Sequence, residues 1–142
     1  MTKARQATLA ILRNAQEPLS AAAVLERIGA CCDQVTVYRS LHFLEENDLA
    51  NSFILHCAQH GTERYYSAVD SPEDGYSGHH HWFHCEICHR FLDLGDCQLH
   101  RLVEDYEATH QITVKSHTLY FTGICSDCRT VDLVPGTKNT KL

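Results

Sequence analysis

Two short motifs restrict the fold of this chain more than anything else in it. Cys85-Glu86-Ile87-Cys88 and Cys125-Ser126-Asp127-Cys128 are paired CxxC knuckles, with thirty-six residues between Cys88 and Cys125. A two-residue spacer lets both thiolates of a knuckle face one tetrahedral ion, and two knuckles complete a four-thiolate shell with bonds near ~2.3 Å. The polypeptide between them must therefore leave and return to one point. Four cysteines can also hold an iron–sulfur cluster, and a thiol redox pair usually needs a single CxxC. Structural zinc on Cys85, Cys88, Cys125 and Cys128 is the reading that uses the whole pattern.

The chain has 142 residues, enough for one ordinary domain or two small ones. The opening Met1-Thr2-Lys3-Ala4-Arg5-Gln6 lacks the apolar stretch of a signal peptide, and no run of eighteen apolar residues offers a membrane span. A cytoplasmic address with no membrane partner is expected. In a reducing compartment, CxxC pairs serve metals or redox chemistry more often than structural disulfides. Eleven histidines accompany eight cysteines, and both are donors that zinc prefers. The net charge of −6 gives nucleic-acid binding no bulk support, so any such role must rest on a few well-placed cations.

Residues 2–50 read as helical. Ala7, Leu9, Ile11 and Leu12 cluster at helical spacing before Pro18. Ser20 stands at an N-cap position before Ala21 to Ile28, and Gly29 closes that helix. A third helix is expected from near Asp33–Val35 to Asn47, with Val37, Leu41 and Leu44 on its buried face. Phe53-Ile54-Leu55 and Arg64-Tyr65-Tyr66-Ser67 are β-prone and flank His60-Gly61-Thr62-Glu63, a plausible hairpin. Helix-turn-helix followed by a hairpin is a winged helix, although periodicity alone fits a three-helix bundle equally well. The polar, Gly- and Pro-containing stretch 71–78 then reads as a hinge. Beyond it, Trp82 to Cys85 and Phe91 to Leu94 read as strands, Cys97 to His110 as a helix, and 112–114 and 117–125 as strands. The expected class is α+β: a DNA-binding domain at 1–70, an α/β metal-binding dimerisation domain at 79–136, and a polar tail at 137–142.

His79-His80-His81 directly precede the first knuckle. On a strand, alternation sends His79 and His81 to one face and His80 to the other, so one tripeptide can feed two metal sites. His100, in the helix, and His117, opening the last strand, are candidates to join His79 and His81. Taken singly, His56, His60, His84, His89 and His110 read as solvated or packing histidines. Cys57, Cys97 and the adjacent Cys31-Cys32 read equally as small buried hydrophobes.

At this point the chain resembles the ferric uptake regulator superfamily of metal-dependent repressors, and most closely its zinc uptake regulators. Four pieces carry the match in order: Arg5-Gln6-Ala7 leading into Leu9-Ala10-Ile11-Leu12, Thr36-Val37-Tyr38-Arg39-Ser40-Leu41, His79-His80-His81 before the first knuckle, and His117-Thr118-Leu119-Tyr120 before the second. The resemblance implies an N-terminal winged helix, a C-terminal dimerisation domain, a homodimer on double-stranded operator DNA, and no small-molecule substrate. The helix with Thr36, Tyr38 and Arg39 is then the recognition helix. Tyr38 meets a thymine methyl, Arg39 a phosphate or guanine, and Arg5 and Arg64 further phosphates.

The same resemblance implies a second metal site at His79, His81, His100 and His117, where carboxylates are common in the family. An all-imidazole set favours zinc over iron. The sensor site matches less well. Pro18-Leu19-Ser20-Ala21 offers no donor where iron and peroxide sensors take one, and Trp82 replaces a histidine three residues before the knuckle. What remains is Cys57 (or His56 or His60), His80 and Asp93. A zinc-responsive repressor of uptake genes, with one structural and one or two regulatory Zn2+ per chain, is expected. The alternatives are an Fe2+- or peroxide-responsive relative, or a thiol redox sensor using Cys31-Cys32 or Cys97. Zinc-hydrolase chemistry is disfavoured: the four-cysteine shell leaves no open position, and no HExxH motif occurs.

Overall fold

A computed structural model describes residues 1–69 and 79–132. The expected hinge at 71–78 and tail at 137–142 lie outside the described residues.

The N-terminal half begins with α1 (Lys3–Asn14), whose Thr2 cap accepts from the Arg5 amide. A two-residue strand β1 (Leu19–Ser20) leads into α2 (Ala21–Ile28), capped by Ser20 accepting from the Ala23 amide. Gly29 closes α2 at φ +67, which a side chain would resist. A single 3-10 turn (Gly29–Cys31) precedes α3 (Gln34–Glu46), where the Asp33 carboxylate accepts from the Thr36 amide. The apolar spacing works as expected: Val37, Leu41 and Leu44 of α3 are fully buried against Leu9, Leu12 and Val24. Strands β2 (Ala50–Cys57) and β3 (Gly61–Ala68) pair antiparallel in register, Ala50 opposite Ala68 and Cys57 opposite Gly61. Strand β1 adds to the far edge of β3, giving the order β1-β3-β2. Thr62 and Glu63, read from the sequence as turn residues, belong to β3, and the loop is the tighter 58–60. Three helices with this sheet are a winged helix.

The C-terminal half is built on β4 (His80–Cys85), which pairs antiparallel with β5 (Phe91–Asp96) and parallel with β6 (Tyr120–Gly123). Helix α4 (His100–His110) links β5 to the approach of β6, and α5 (Ser126–Asp132) starts one residue after Cys125. Two sequence expectations need correction. Residues 112–114 form no strand, and the last strand begins at Tyr120 rather than 117. The physical reason is local. The Val114 amide donates to Glu107 Oε2 at 3.0 Å, and Leu119 O lies against the His81 ring, so these backbone groups are engaged by side chains outside any ladder. Helix α5 was not anticipated.

An aromatic seam joins the halves. Phe53 of β2 lies 6.1 Å from Phe91 and 5.5 Å from Tyr120 between ring centroids, and Tyr65 lies 5.0 Å from Phe91. Phe53, Leu55 and Trp82 form the buried centre of this second core. Rings of this size contribute both buried area and edge or offset contacts.

Candidate metal centres and nucleic-acid face

The knuckles fold as their spacing requires. The amide of Cys85 donates to Arg90 O and that of His89 to Cys85 O, so the first knuckle is a tight turn off β4 with His89 at φ +63. The second knuckle straddles the start of α5. All four sulfurs of Cys85, Cys88, Cys125 and Cys128 lie within 4.8 Å of one another. Cys88 Sγ is 3.7 Å from Cys125 Sγ, close to the edge of about 3.8 Å that tetrahedral zinc–sulfur bonds generate. Hydrogen bonds to the sulfurs, led by the Cys128 amide, pull the Cys125 thiol down to about 6. Its neighbour Cys128 is pushed up to about 12 because its thiol hydrogen bonds to Cys125. The quartet thus shares charge through S–H donors, and a divalent ion would take the place of those protons. Arg90 adds a positive lid: Nε donates to Cys88 Sγ at 3.4 Å, Nη2 to Cys125 Sγ at 3.7 Å, and the guanidinium also pairs with Asp127. Arg90 escaped the sequence reading, because only the fold brings position 90 back over both knuckles.

Alternation along β4 separates the histidine triplet as expected. His79 Nε2 lies 3.0 Å from His117 Nε2, and His117 Nε2 lies 3.2 Å from His81 Nε2. The fourth donor is a residue that sequence reasoning set aside. Cys97 Sγ is 3.3 Å from His117 Nε2, and His79, His81, Cys97 and His117 have all their ligand atoms within 4.8 Å of one another. His100 lies outside that compact set and lines the same cleft, close enough to disfavour charge on His79 and His117. Its place at the start of α4 lies within the helix expected from the sequence; the bend at 97–99 that turns the buried Cys97 inward could not be read there. His81 Nδ1 is 2.9 Å from Leu119 O, which can only accept. The hydrogen therefore sits on Nδ1 and the Nε2 lone pair faces His117. Burial, then repulsion from His81 and His117, pushes His79 down to about 4. Burial and then His81 lower His117 likewise. The shifts of His79 and His117 favour the neutral imidazole, the form in which histidine binds a metal. The cleft beside them is about 940 Å3 and is lined from both halves, by Glu45, Ser52 and Arg64 as well as the histidines.

The expected sensor trio does not assemble. His80 Nδ1 lies 2.7 Å from Asp93 and its Nε2 3.2 Å from Asp96, so its two nitrogens face different carboxylates. Cys57 instead contacts His89 at the knuckle end of β4, and no compact metal-sized set among the described residues joins it to His80 and Asp93. The reason is topological: the wing loop meets the sheet beyond His84, four residues along β4 from His80, a separation of about 13 Å.

On α3, expected to be the recognition helix, Tyr38 is 49 % exposed and Arg39 is exposed, while Thr36 is half-buried near the start of the helix. Tyr38 is thus not a packing residue. Arg5 stacks over the Phe43 ring at 3.7 Å, and Arg64 donates to Ser52 Oγ at 2.8 Å, with Ser52 bonded to Glu45. Cys31 and Cys32 have their sulfurs 3.5 Å apart just before α3.

The ferric uptake regulator family model matches residues 1–122. The chain belongs to that family. A ferric uptake regulation protein of Campylobacter upsaliensis is 28 % identical over 93 residues, covering 66 % of this chain and 53 % of the relative, so the match spans about half of that protein's length. Among solved structures, the Helicobacter pylori ferric uptake regulator, described as having three functional metal-binding sites, superposes with a TM-score of 0.62 at 20 % identity, covering 91 % of this chain and 81 % of that one. A zinc uptake regulator complexed with zinc and DNA gives 0.64 at 18 % identity over 92 % and 84 %. The Campylobacter jejuni peroxide stress regulator gives 0.65 at 21 % identity over 86 % and 99 %. At these identities the likeness is one of fold, and it spans relatives of iron, zinc and peroxide type.

Proposed function

We propose that this family member is a zinc-responsive transcriptional repressor that binds operator DNA as a homodimer and controls metal-uptake genes. The observation that carries the reading is the donor set of His79, His81, Cys97 and His117: three imidazoles and a thiol, with no carboxylate among them. Such donors suit zinc, whereas ferrous iron favours oxygen-rich octahedral shells. The iron- and peroxide-responsive alternatives draw less support, since Pro18 to Ala21 offers no donor and Trp82 stands where such sensors carry a histidine.

The four cysteines would hold a structural ion and the imidazole–thiol set a regulatory one. A zinc ion supplies a rigid tetrahedral junction when bound. The chain's own residues do the rest. His81 is oriented by Leu119 O, Cys97 is fixed by the turn into α4, and His79 stands beside the cleft that Arg64 and Glu45 line from the DNA-binding half. Order at this cleft restricts how the winged helix sits on the dimerisation half, shifting the population toward a DNA-competent arrangement. In a two-fold dimer, paired α3 helices would reach major-groove half-sites about 34–36 Å apart. Exposed Tyr38 and Arg39 supply base and phosphate contacts, and Arg5 and Arg64 lie on the same half.

Support for the homodimer comes from α4. None of its residues is buried, yet Leu102 and Tyr106 are apolar and about half exposed, as is Phe121 on β6. An eleven-residue helix without a buried face is marginal alone, and a second copy would cover it.

The test is operator binding by the purified protein at buffered free zinc or ferrous ion. DNA affinity should rise steeply with zinc at concentrations where iron has little effect. Affinity that ignores zinc would refute the assignment.

A further inference from the structure

The wing loop and the first cysteine knuckle meet in a group of side chains that neither compact metal set uses. Cys57 closes β2 with its Sγ 3.8 Å from His89 Nδ1. That nitrogen is 3.4 Å from His84 Nε2. His60, in the loop, sets its ring edge-on to His89 with centroids 4.4 Å apart. The other nitrogen of His89 lies 2.7 Å from Gln59 Oε1, an acceptor, so the hydrogen sits on Nε2 and the Nδ1 lone pair points into the group. His84 is 4 % exposed on the rigid strand β4, and among the described residues its Nδ1 has no hydrogen-bond partner.

We propose that Cys57, His84 and His89 form a third transition-metal site, with His60 as fourth donor, which takes a borderline divalent ion such as zinc or cobalt and clasps the wing to the dimerisation half. Zinc bond lengths in a tetrahedron give ligand edges of about 3.6 Å for sulfur to nitrogen and about 3.3 Å for nitrogen to nitrogen. The two edges seen here, 3.8 and 3.4 Å, match them. The third edge is open. Among the described residues only the His79 and Cys85 sets have every ligand atom within 4.8 Å of every other, so Cys57 Sγ and His84 Nε2 stand further apart than that. Ion capture closes this edge by drawing the wing loop toward β4. His84 and His89 cannot easily move to meet it, since one is in a strand and the other is pinned by the knuckle turn at φ +63. This clasp lies at the far end of β4 from His79, so a site here and the regulatory set would fix the two halves at two separated points. The donor chemistry is distinct from that of His80, whose partners are carboxylates.

The proposal requires nothing of the DNA-binding reading, and its test reads metal directly. The full chain carrying Cys97→Ser and His117→Ala loses both the thiol and the shared nitrogen of the imidazole set and keeps the four-cysteine zinc. Titrating this protein with cobalt(II) should load one cobalt per chain beyond the retained zinc, with a thiolate-to-cobalt charge-transfer band. Adding Cys57→Ser should abolish the band. Adding His89→Ala should weaken uptake by more than the roughly 10–100-fold that loss of an outer-shell partner costs. Retention of zinc in every variant reports that the fold survives. Absence of cobalt uptake, or a charge-transfer band that persists in Cys57→Ser, would overturn the proposal.

Discussion

At the scale of single residues, Cys97 is the position where the structure most alters the chemistry. Its thiol, 3.3 Å from His117 Nε2, turns an all-imidazole expectation into a mixed set and leaves His100 at the rim. The consequence is measurable. Cys97→Ser should remove thiolate-to-metal charge transfer from a cobalt ion bound with His79, His81 and His117, and should weaken that ion by more than His100→Ala does. Equal effects of the two substitutions, or a spectrum unchanged in Cys97→Ser, would return the site to its imidazole-only form. Nothing along the chain marks Cys97, because a cysteine three residues before a helical histidine has no special meaning. Only the turn at 97–99, which buries Cys97 while leaving Gln98 exposed, gives it one.

At the scale of elements, the three N-terminal helices follow their sequence cues closely. Ser20, Gly29 and Asp33 mark boundaries because side-chain caps and positive φ are strictly local requirements. The buried face of α3 was equally legible, since Val37, Leu41 and Leu44 are among the most completely enclosed side chains. Leu41→Ala should cost about 2–5 kcal/mol by leaving a cavity under α3. Chemical denaturation would show it as a lower midpoint at unchanged slope. A loss well under that range would mean that this core relaxes around the gap. The segment 112–119 behaved differently. Its Ile, Thr and Val suggest a strand, but a strand needs a ladder partner, and here side chains of α4 and β4 take the backbone groups instead.

At the scale of the whole molecule, the two halves are joined by a seam of rings and by the polar group at the wing loop, while α4 and β6 face outward with apolar side chains exposed. If a second copy covers that face, a charge placed there should separate the dimer with little effect on the fold of each chain. Tyr106→Glu is expected to sediment as a monomer that retains its four-cysteine zinc and its helical content. A variant that stays dimeric would locate the interface elsewhere. Because each half-site holds only one recognition helix, such a monomer should also lose most of its operator affinity under the reading proposed above.

What the sequence determined by itself was whatever depends on near neighbours along the chain: the limits of the three N-terminal helices, the pairing of the two β-prone segments after them, the alternation that divides His79 and His81 from His80, and the spacing that lets Cys85, Cys88, Cys125 and Cys128 face one point. What only the tertiary structure decided was which potential donors come together across distance. It placed Cys97 with the imidazoles, kept Cys57 from His80 and Asp93, and set Cys57 against His89 at the knuckle. The physical reason is that ligand sets form where strands and loops from remote parts of the chain happen to converge, and no periodicity encodes that convergence. The four cysteines remain the surest feature of the sequence, and the histidines around them were the part that needed the fold.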